Sequence, residues 1–232
     1  MNVKRKYYIN IISIILPLIV HLSSFQVVSQ SLTKVNFTVN FGSAYNSPSY
    51  LKITQEGYED IVIRDANYST EAFVRPTYWD YKLDFETEKR LFGVRTTHHK
   101  LILRNPSPEI EYFEITHGYN LLIGYYGWKM KYFTLLAAGG VAFSHPEGII
   151  HGSHASIEKG VPLIGGIYRV TGPNLELAIL RKLYFSKRFF VNIEGRINAG
   201  YINCQIKRGF VETYPVGLHG IFGIGYDFIN ND

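Results

Sequence analysis

From Phe189 to Asn203 the chain alternates with period two. Phe189, Val191, Ile193, Gly195, Ile197, Ala199 and Tyr201 hold one phase, and Asn192, Glu194, Arg196 and Asn198 the other. Successive residues of a strand face opposite sides, so such a segment has one apolar and one charged face. The same split runs through Thr77–Phe85, where Trp79, Tyr81, Leu83 and Phe85 oppose Asp80, Lys82 and Asp84. It recurs in Val35–Phe41, where Val35, Phe37, Val39 and Phe41 oppose Asn36, Thr38 and Asn40. Reading turn residues between such runs divides the chain into eight strands: 34–45, 77–87, 90–103, 110–125, 131–145, 170–184, 188–205 and 213–228.

The connections alternate strictly. Residues 88–89, 126–130 and 185–187 are tight, 46–76 and 146–169 are long, and 104–109 and 206–212 are intermediate. In an up-and-down barrel this places every tight turn at one end and every longer loop at the other, the layout of transmembrane barrels of the bacterial outer membrane. The expected fold is therefore an all-β, eight-stranded antiparallel up-and-down transmembrane β-barrel, integral to the outer membrane with both termini periplasmic. Aromatic residues crowd the tight-turn end (Phe85, Tyr125, Tyr126, Trp128, Tyr184, Phe185, Phe189, Phe190, Tyr226 and Phe228), as an interfacial girdle would. The last strand, LHGIFGIGYDF, resembles the closing strand of outer-membrane proteins that the barrel-insertion machinery reads, although four residues follow Phe228. Eight strands leave an interior that side chains can fill. Lys82, Asp84, Glu86, Arg95, Glu114, Glu176, Glu194 and Arg196 are expected inside it, which makes a plugged barrel and not a pore.

Composition changes this picture at the N-terminus. Lys4, Arg5 and Lys6, the apolar run of 12 residues Ile9–Val20 and the ending Val27-Val28-Ser29 read as a signal peptide over 1–29, leaving 30–232 as the barrel domain. That leader holds three of the net +5 charges, so the remainder carries no nucleic-acid footprint. The 18 Tyr, 15 Phe and 21 Gly suit strands. Cys204 is the lone cysteine, which excludes an internal disulfide.

Candidate chemistry begins with GVRTTHHK, residues 93–100. If Arg95 faces inward, His98 and Lys100 continue the outward face of Phe92 and Val94, and His99 enters the lumen mouth. On the next strand Phe113, Ile115, His117, Tyr119, Leu121 and Ile123 read as the outward apolar phase. On the following one Phe133, Leu135, Ala137, Val141, Phe143, His145 and Glu147 do. A loop centred near residue 107 makes His98 and His117 direct cross-strand neighbours. A turn centred near 128.5 pairs His117 with Gly140 and leaves His145 further along, so that only a bulge or a fold-back at Pro146 brings His145 and Glu147 in. Imidazoles with one carboxylate suit a divalent transition metal such as Fe, Mn or Zn. Lys100 falls where lipid-headgroup phosphates lie. His151-x-Ser153 and His154-x-Ser156 resemble the His-x-Ser pair of outer-membrane lipid deacylases, but they sit in a loop with no clear acidic partner.

The segments RPTYWDYKLDF, FGVRTTHHKLIL, ITHGYNLLI, GGVAFSHPE and HGIFGIGYDF resemble a family of small outer-membrane barrels labelled lipid A oxidase-like, over roughly residues 50–228. The resemblance singles out His98, His117, His145 and Glu147 as metal ligands and Lys100 and Asn120 as lipid-headgroup contacts. It implies metal-dependent oxidation of lipid A, a lipopolysaccharide component, by a monomer. The alternatives are a non-catalytic barrel that stabilises the membrane or presents 46–76 and 146–169 to a ligand or host, and a soluble lipocalin-like barrel with the apolar phase inward.

Overall fold

The computed structural model describes residues 32–156 and 168–230, and for residues 116–118 and 230 it describes the backbone alone. The leader read over 1–29 lies outside the described residues. The strands are β1 (Lys34–Ser47), β2 (Ser49–Gln55), β3 (Ile61–Ala66), β4 (Tyr68–Ser69), β5 (Trp79–Glu86), β6 (Arg90–Leu103), β7 (Ile110–Lys129), β8 (Thr134–Ile150), β9 (Ser153–His154), β10 (Arg169–Tyr184), β11 (Phe189–Gly200), β12 (Ile202–Ile206), β13 (Gly209–Thr213) and β14 (Val216–Asn230). Eight of them, β1, β5, β6, β7, β8, β10, β11 and β14, pair antiparallel in a ring that β14 closes on β1 and β10 closes on β8. The fold is a closed eight-stranded antiparallel barrel, and every expected strand is present.

Orientation follows the two-residue period. Leu175, Leu177 and Ile179 on β10 face outward at 69%, 58% and 54% exposure, while Asn174, Glu176 and Ala178 between them are buried. Phe222 and Ile224 on β14 and Ile193 and Ile197 on β11 are likewise outward. The lumen is filled by paired ions. Glu194 accepts from Lys82 at 2.8 Å, Arg95 at 3.0 Å and Arg196 at 2.8 Å, and Arg95 also pairs with Glu176. Arg196 reaches Asp80 at 2.9 Å, and Thr97 donates to that same carboxylate at 2.6 Å. Nearer the tight turns Lys182 contacts Asp84 and Glu86 at 2.6 Å each, and Lys129 adds a contact to Glu86 at 2.9 Å. Each of these lumen charges meets an opposite one, which is the condition for keeping ions out of water.

Two ring-over-glycine pairs finish the filling. Tyr125 and Phe190 point inward instead of joining the girdle. They lie across their cross-strand partners Gly93 and Gly225, where an added Cβ would strike the rings. Tyr125 also donates to Asp84, and Lys82 and Arg95 sit over its ring at 5.3 and 5.2 Å.

Three expectations need correction. The turn after β7 spans 130–133, not 126–130, because Tyr126, Gly127 and Trp128 stay in the ladder with β8. The β7 phase is reversed: Tyr119, Leu121 and Ile123 are buried inside, whereas Leu122 and Tyr126 are exposed. The odd phase is the more apolar one but is buried, because Tyr119, Leu121 and Ile123 join an apolar core inside the wall, so alternation points the wrong way on this strand. Glu114 consequently leaves the lumen and faces Glu147 across the β7–β8 ladder on the outward phase.

The region read as long loop 46–76 contains strands. β12, β13, β2 and β3 form a second, four-stranded sheet beyond the barrel's longer-loop end. Leu51, Ile53, Ile63, Ile202, Cys204, Ile206 and Val211 from this sheet share one buried apolar cluster with Leu101, Phe113, Ile115 and Ile150 of β6–β8. Cys204 is buried there, and burial pushes its thiol up to about 12.

If the ionic lumen holds the barrel together, Glu194→Gln, which leaves Lys82, Arg95 and Arg196 short of a shared acceptor, should destabilise it by about 3 kcal/mol. The outward Leu177→Val should cost less than about 1 kcal/mol. Urea unfolding in lipid vesicles, followed by the heat-modifiable gel shift, compares the two.

Candidate functional site

The outward wall of β5–β8 carries a cleft of about 520 Å³ lined by Pro76, Trp79, Thr96, His98, Asn120, Leu121, Leu122, Phe143 and Tyr168. Its floor is one ladder row: Trp79 pairs with His98, His98 with Asn120, and Asn120 with Phe143. The next row places Thr96 beside Leu122 and Leu122 beside Val141. The His98 ring stacks on Trp79 with centroids 5.2 Å apart and planes 10° apart, and its Nδ1 shares a 2.9 Å hydrogen bond with Asn120 Oδ1. The Tyr168 hydroxyl hydrogen-bonds the Asn120 side chain from above. The cleft thus pairs an apolar floor with a bonded chain of Tyr168, Asn120 and His98, whose groups are held in fixed directions.

The sequence-derived residues fall into place unevenly. His98 is on the outward phase as expected but only 4% exposed; Trp79 stacks on its ring, and Pro76 and Tyr168 line the same cleft. His99 enters the lumen, where its ring meets Tyr119 and His219 at 4.9 and 5.0 Å. Lys100 is outward by phase yet buried, and its Nζ donates to Val74 O at 3.0 Å, so a phosphate would reach it only if the segment at Val74 shifted.

His98 and His117 are not cross-strand partners, since His98 faces Asn120. The longer β7 moves the register, and a bulge between Thr116 and Asn120 places two extra residues on β7 relative to both neighbouring strands. His117 sits in that bulge, and its side chain lies outside the described residues. His145 pairs with Thr116 at the bulge's edge, and its Nε2 lies 3.5 Å from Glu147 Oε1. The His145 ring stands 6.4 Å from that of Tyr168, so Tyr168 borders both groups. Among the described residues no three of His, Cys, Asp and Glu gather closely enough to hold an ion.

Trp79, Thr96, Leu122, Phe143 and Tyr168 were not singled out by the sequence. All but Tyr168 would follow from the correct register, because Trp79 and Phe143 lie in the ladder row of His98, and Thr96 and Leu122 in the next outward row.

No family model matches the sequence, and no curated protein matches it. Solved barrels of similar architecture include the attachment invasion locus protein Ail of Yersinia pestis, at 12% identity over 82% of this chain and 99% of that one with a TM-score of 0.33. The outer membrane protein OprG of Pseudomonas aeruginosa is similar at 11% identity, 86% and 99% coverage and a TM-score of 0.43. The outer membrane protein AlkL, solved in lipid bilayers, is similar at 9% identity, 89% and 95% coverage and a TM-score of 0.45.

Paired cysteines test the register directly. With Cys204→Ser as background, His98→Cys with Asn120→Cys should cross-link under mild oxidation. His98→Cys with His117→Cys should not, and the reverse pattern on a non-reducing gel would contradict the ladder described.

Proposed function

We propose that this chain is an integral β-barrel of the bacterial outer membrane that works by binding, and that the cleft on its outer wall receives an acyl chain of an outer-leaflet lipid. The observation that carries this reading is the orientation of the wall. Apolar side chains face out around a filled, ion-paired lumen, an arrangement that is unfavourable in water and suited to a bilayer. The cleft opens on that same face between Leu122, Phe143 and Trp79. A lipid tail can lie along this floor while an ester, amide or hydroxyl of the headgroup region exchanges hydrogen bonds with Asn120 and Tyr168. Shorter turns and both termini are assigned to the periplasm, and the closing strand ending at Phe228 to recognition by the insertion machinery. The reading takes the barrel as a monomer, which its closed ring supports by leaving no barrel strand edge for a second copy to pair with.

A second reading rests on His145 and Glu147, which meet on the outward phase beside the same cleft. In it His98, His117, His145 and Glu147 hold an iron, manganese or zinc ion, which supplies oxidising or Lewis-acid chemistry toward lipid A. It needs the His117 imidazole, because the described donors alone do not form a set of three.

The tryptophans separate lipid contact from its absence. Trp128→Phe leaves Trp79 as the sole tryptophan. Brominated acyl chains should quench its emission strongly and aqueous iodide weakly, whereas quenching by iodide alone would overturn the lipid-groove reading. Lipid A from cells with and without the protein decides between the readings by mass. Binding predicts identical spectra. An added oxygen atom that disappears in His98→Ala and in His145→Ala establishes the enzyme.

A further inference from the structure

Far from the membrane-facing cleft, three hairpin tips meet at the outermost end of the molecule. They are the turn from β2 toward β3 at Gln55–Tyr58, the turn from β12 to β13 at Lys207-Arg208, and the turn from β8 to β9 at His151-Gly152. Backbone hydrogen bonds fasten them: Glu56 N to Arg208 O at 2.8 Å, Lys207 N to Ala155 O at 2.8 Å, and His151 N to Glu109 O at 2.8 Å. They enclose a small polar cavity of about 120 Å³, whose wall includes Gln55, Glu56, Tyr58, His151, Lys207 and Arg208.

Two features of this wall ask for a ligand. The first is unmet hydrogen bonding. Gln55 is 9% exposed, and its Nε2 donates to Lys207 O at 3.3 Å, which fixes the amide orientation and leaves Oε1 without a partner among the described residues. His151 Nε2 is also buried and without a partner among the described residues, and its ring lies flat on Tyr58, with centroids 3.9 Å apart and planes 6° apart. A buried acceptor left unmet is unfavourable, and a ligand hydroxyl would recover that loss. The second is charge. Lys207 and Arg208 border the cavity, and Arg208 Nε is 3.7 Å from Glu56 Oε2 in a pair whose side chains are 61% and 79% exposed. Such an exposed contact is weak and yields to a better anion.

No simple solute fits the whole wall. At neutral pH sulfate has no proton for Gln55 Oε1, hydrogenphosphate has one but no ring to cover Tyr58, and a neutral sugar leaves the cations unmatched. We propose that this cavity binds an acidic sugar, a pyranose carrying a phosphate, sulfate or carboxylate. One ring hydroxyl donates to Gln55 Oε1, and the anionic group lies against Arg208 and Lys207. The free face of Tyr58, itself 51% exposed, meets the C–H face of the ring. The site is independent of the lipid-groove reading, since it uses none of the same residues. Sugars of this kind belong to surface lipopolysaccharide and to acidic glycans of other cells, and the chemistry is common to both.

Calorimetric titration of the full-length chain in detergent micelles, with glucose 6-phosphate, glucose and inorganic phosphate as probes, tests the proposal. Glucose 6-phosphate should bind at least about tenfold more tightly than either of the others. Gln55→Leu should remove its advantage over phosphate. Arg208→Asn, which tolerates the left-handed backbone at φ 63°, should weaken it about tenfold. Glu56→Gln should strengthen it. The heat-modifiable gel shift checks that each variant keeps its barrel. Phosphate binding as tightly as glucose 6-phosphate would overturn the proposal, as would Arg208→Asn binding like the parent chain. A lipid-free lipopolysaccharide core and a sulfated glycosaminoglycan fragment then identify the source. Binding of either supports the site, and failure of both together with glucose 6-phosphate refutes it.

Discussion

Glu194 at the centre of the lumen, shared by Lys82, Arg95 and Arg196, is the contact on which the barrel depends. Ions withdrawn from water are tolerable only when matched, and this network matches them across four different strands, β5, β6, β10 and β11. Those strands are neighbours in pairs, and the pairs lie on opposite sides of the ring, so the network ties the wall across its interior. It also fixes register, because a slip of one residue would turn every charge outward and every apolar side chain in. With the ions committed to the inside, the outward face is left to Leu175, Leu177, Ile179, Phe222 and their kind. The bilayer reading follows from that division of labour.

Beyond the ionic section the physics changes. The outer end is organised as a water-soluble protein is, with an apolar cluster buried between the four-stranded outer sheet and the tall β6–β8 wall. Leu121 and Ile123 sit at the changeover, pointing into the barrel yet belonging to this apolar core. The molecule therefore joins two solvation regimes in one continuous wall. The cleft proposed for a lipid tail lies on the outward wall, and the cavity proposed for an acidic sugar lies at the far tips, where an apolar core supports short hairpins.

Much of this was legible before any coordinates. All eight barrel strands, the closed antiparallel ring and the inward placement of Lys82, Asp84, Glu86, Arg95, Glu176, Glu194 and Arg196 follow from two-residue alternation, because charge and grease separate cleanly on those strands. The β7 strand was misread for a physical reason. Its inward residues serve the outer apolar core, so Leu121 and Leu122 look alike in sequence while facing opposite ways. The cleft's composition depends on register, and register depends on a turn at 130–133, where turn residues suggest 126–130, together with a bulge that no local signal announces. The outer sheet hid inside apparent loops because its strands are short and its partners distant, as with Leu51 on β2 against Thr213 on β13.

The orientation of the wall is tested most directly by single nitroxide labels placed at 174 through 180 on β10 in lipid vesicles, with oxygen accessibility read by spin resonance. The account predicts maxima at 175, 177 and 179 and minima at 174, 176 and 178. Maxima at the even positions, or a flat profile, would contradict it.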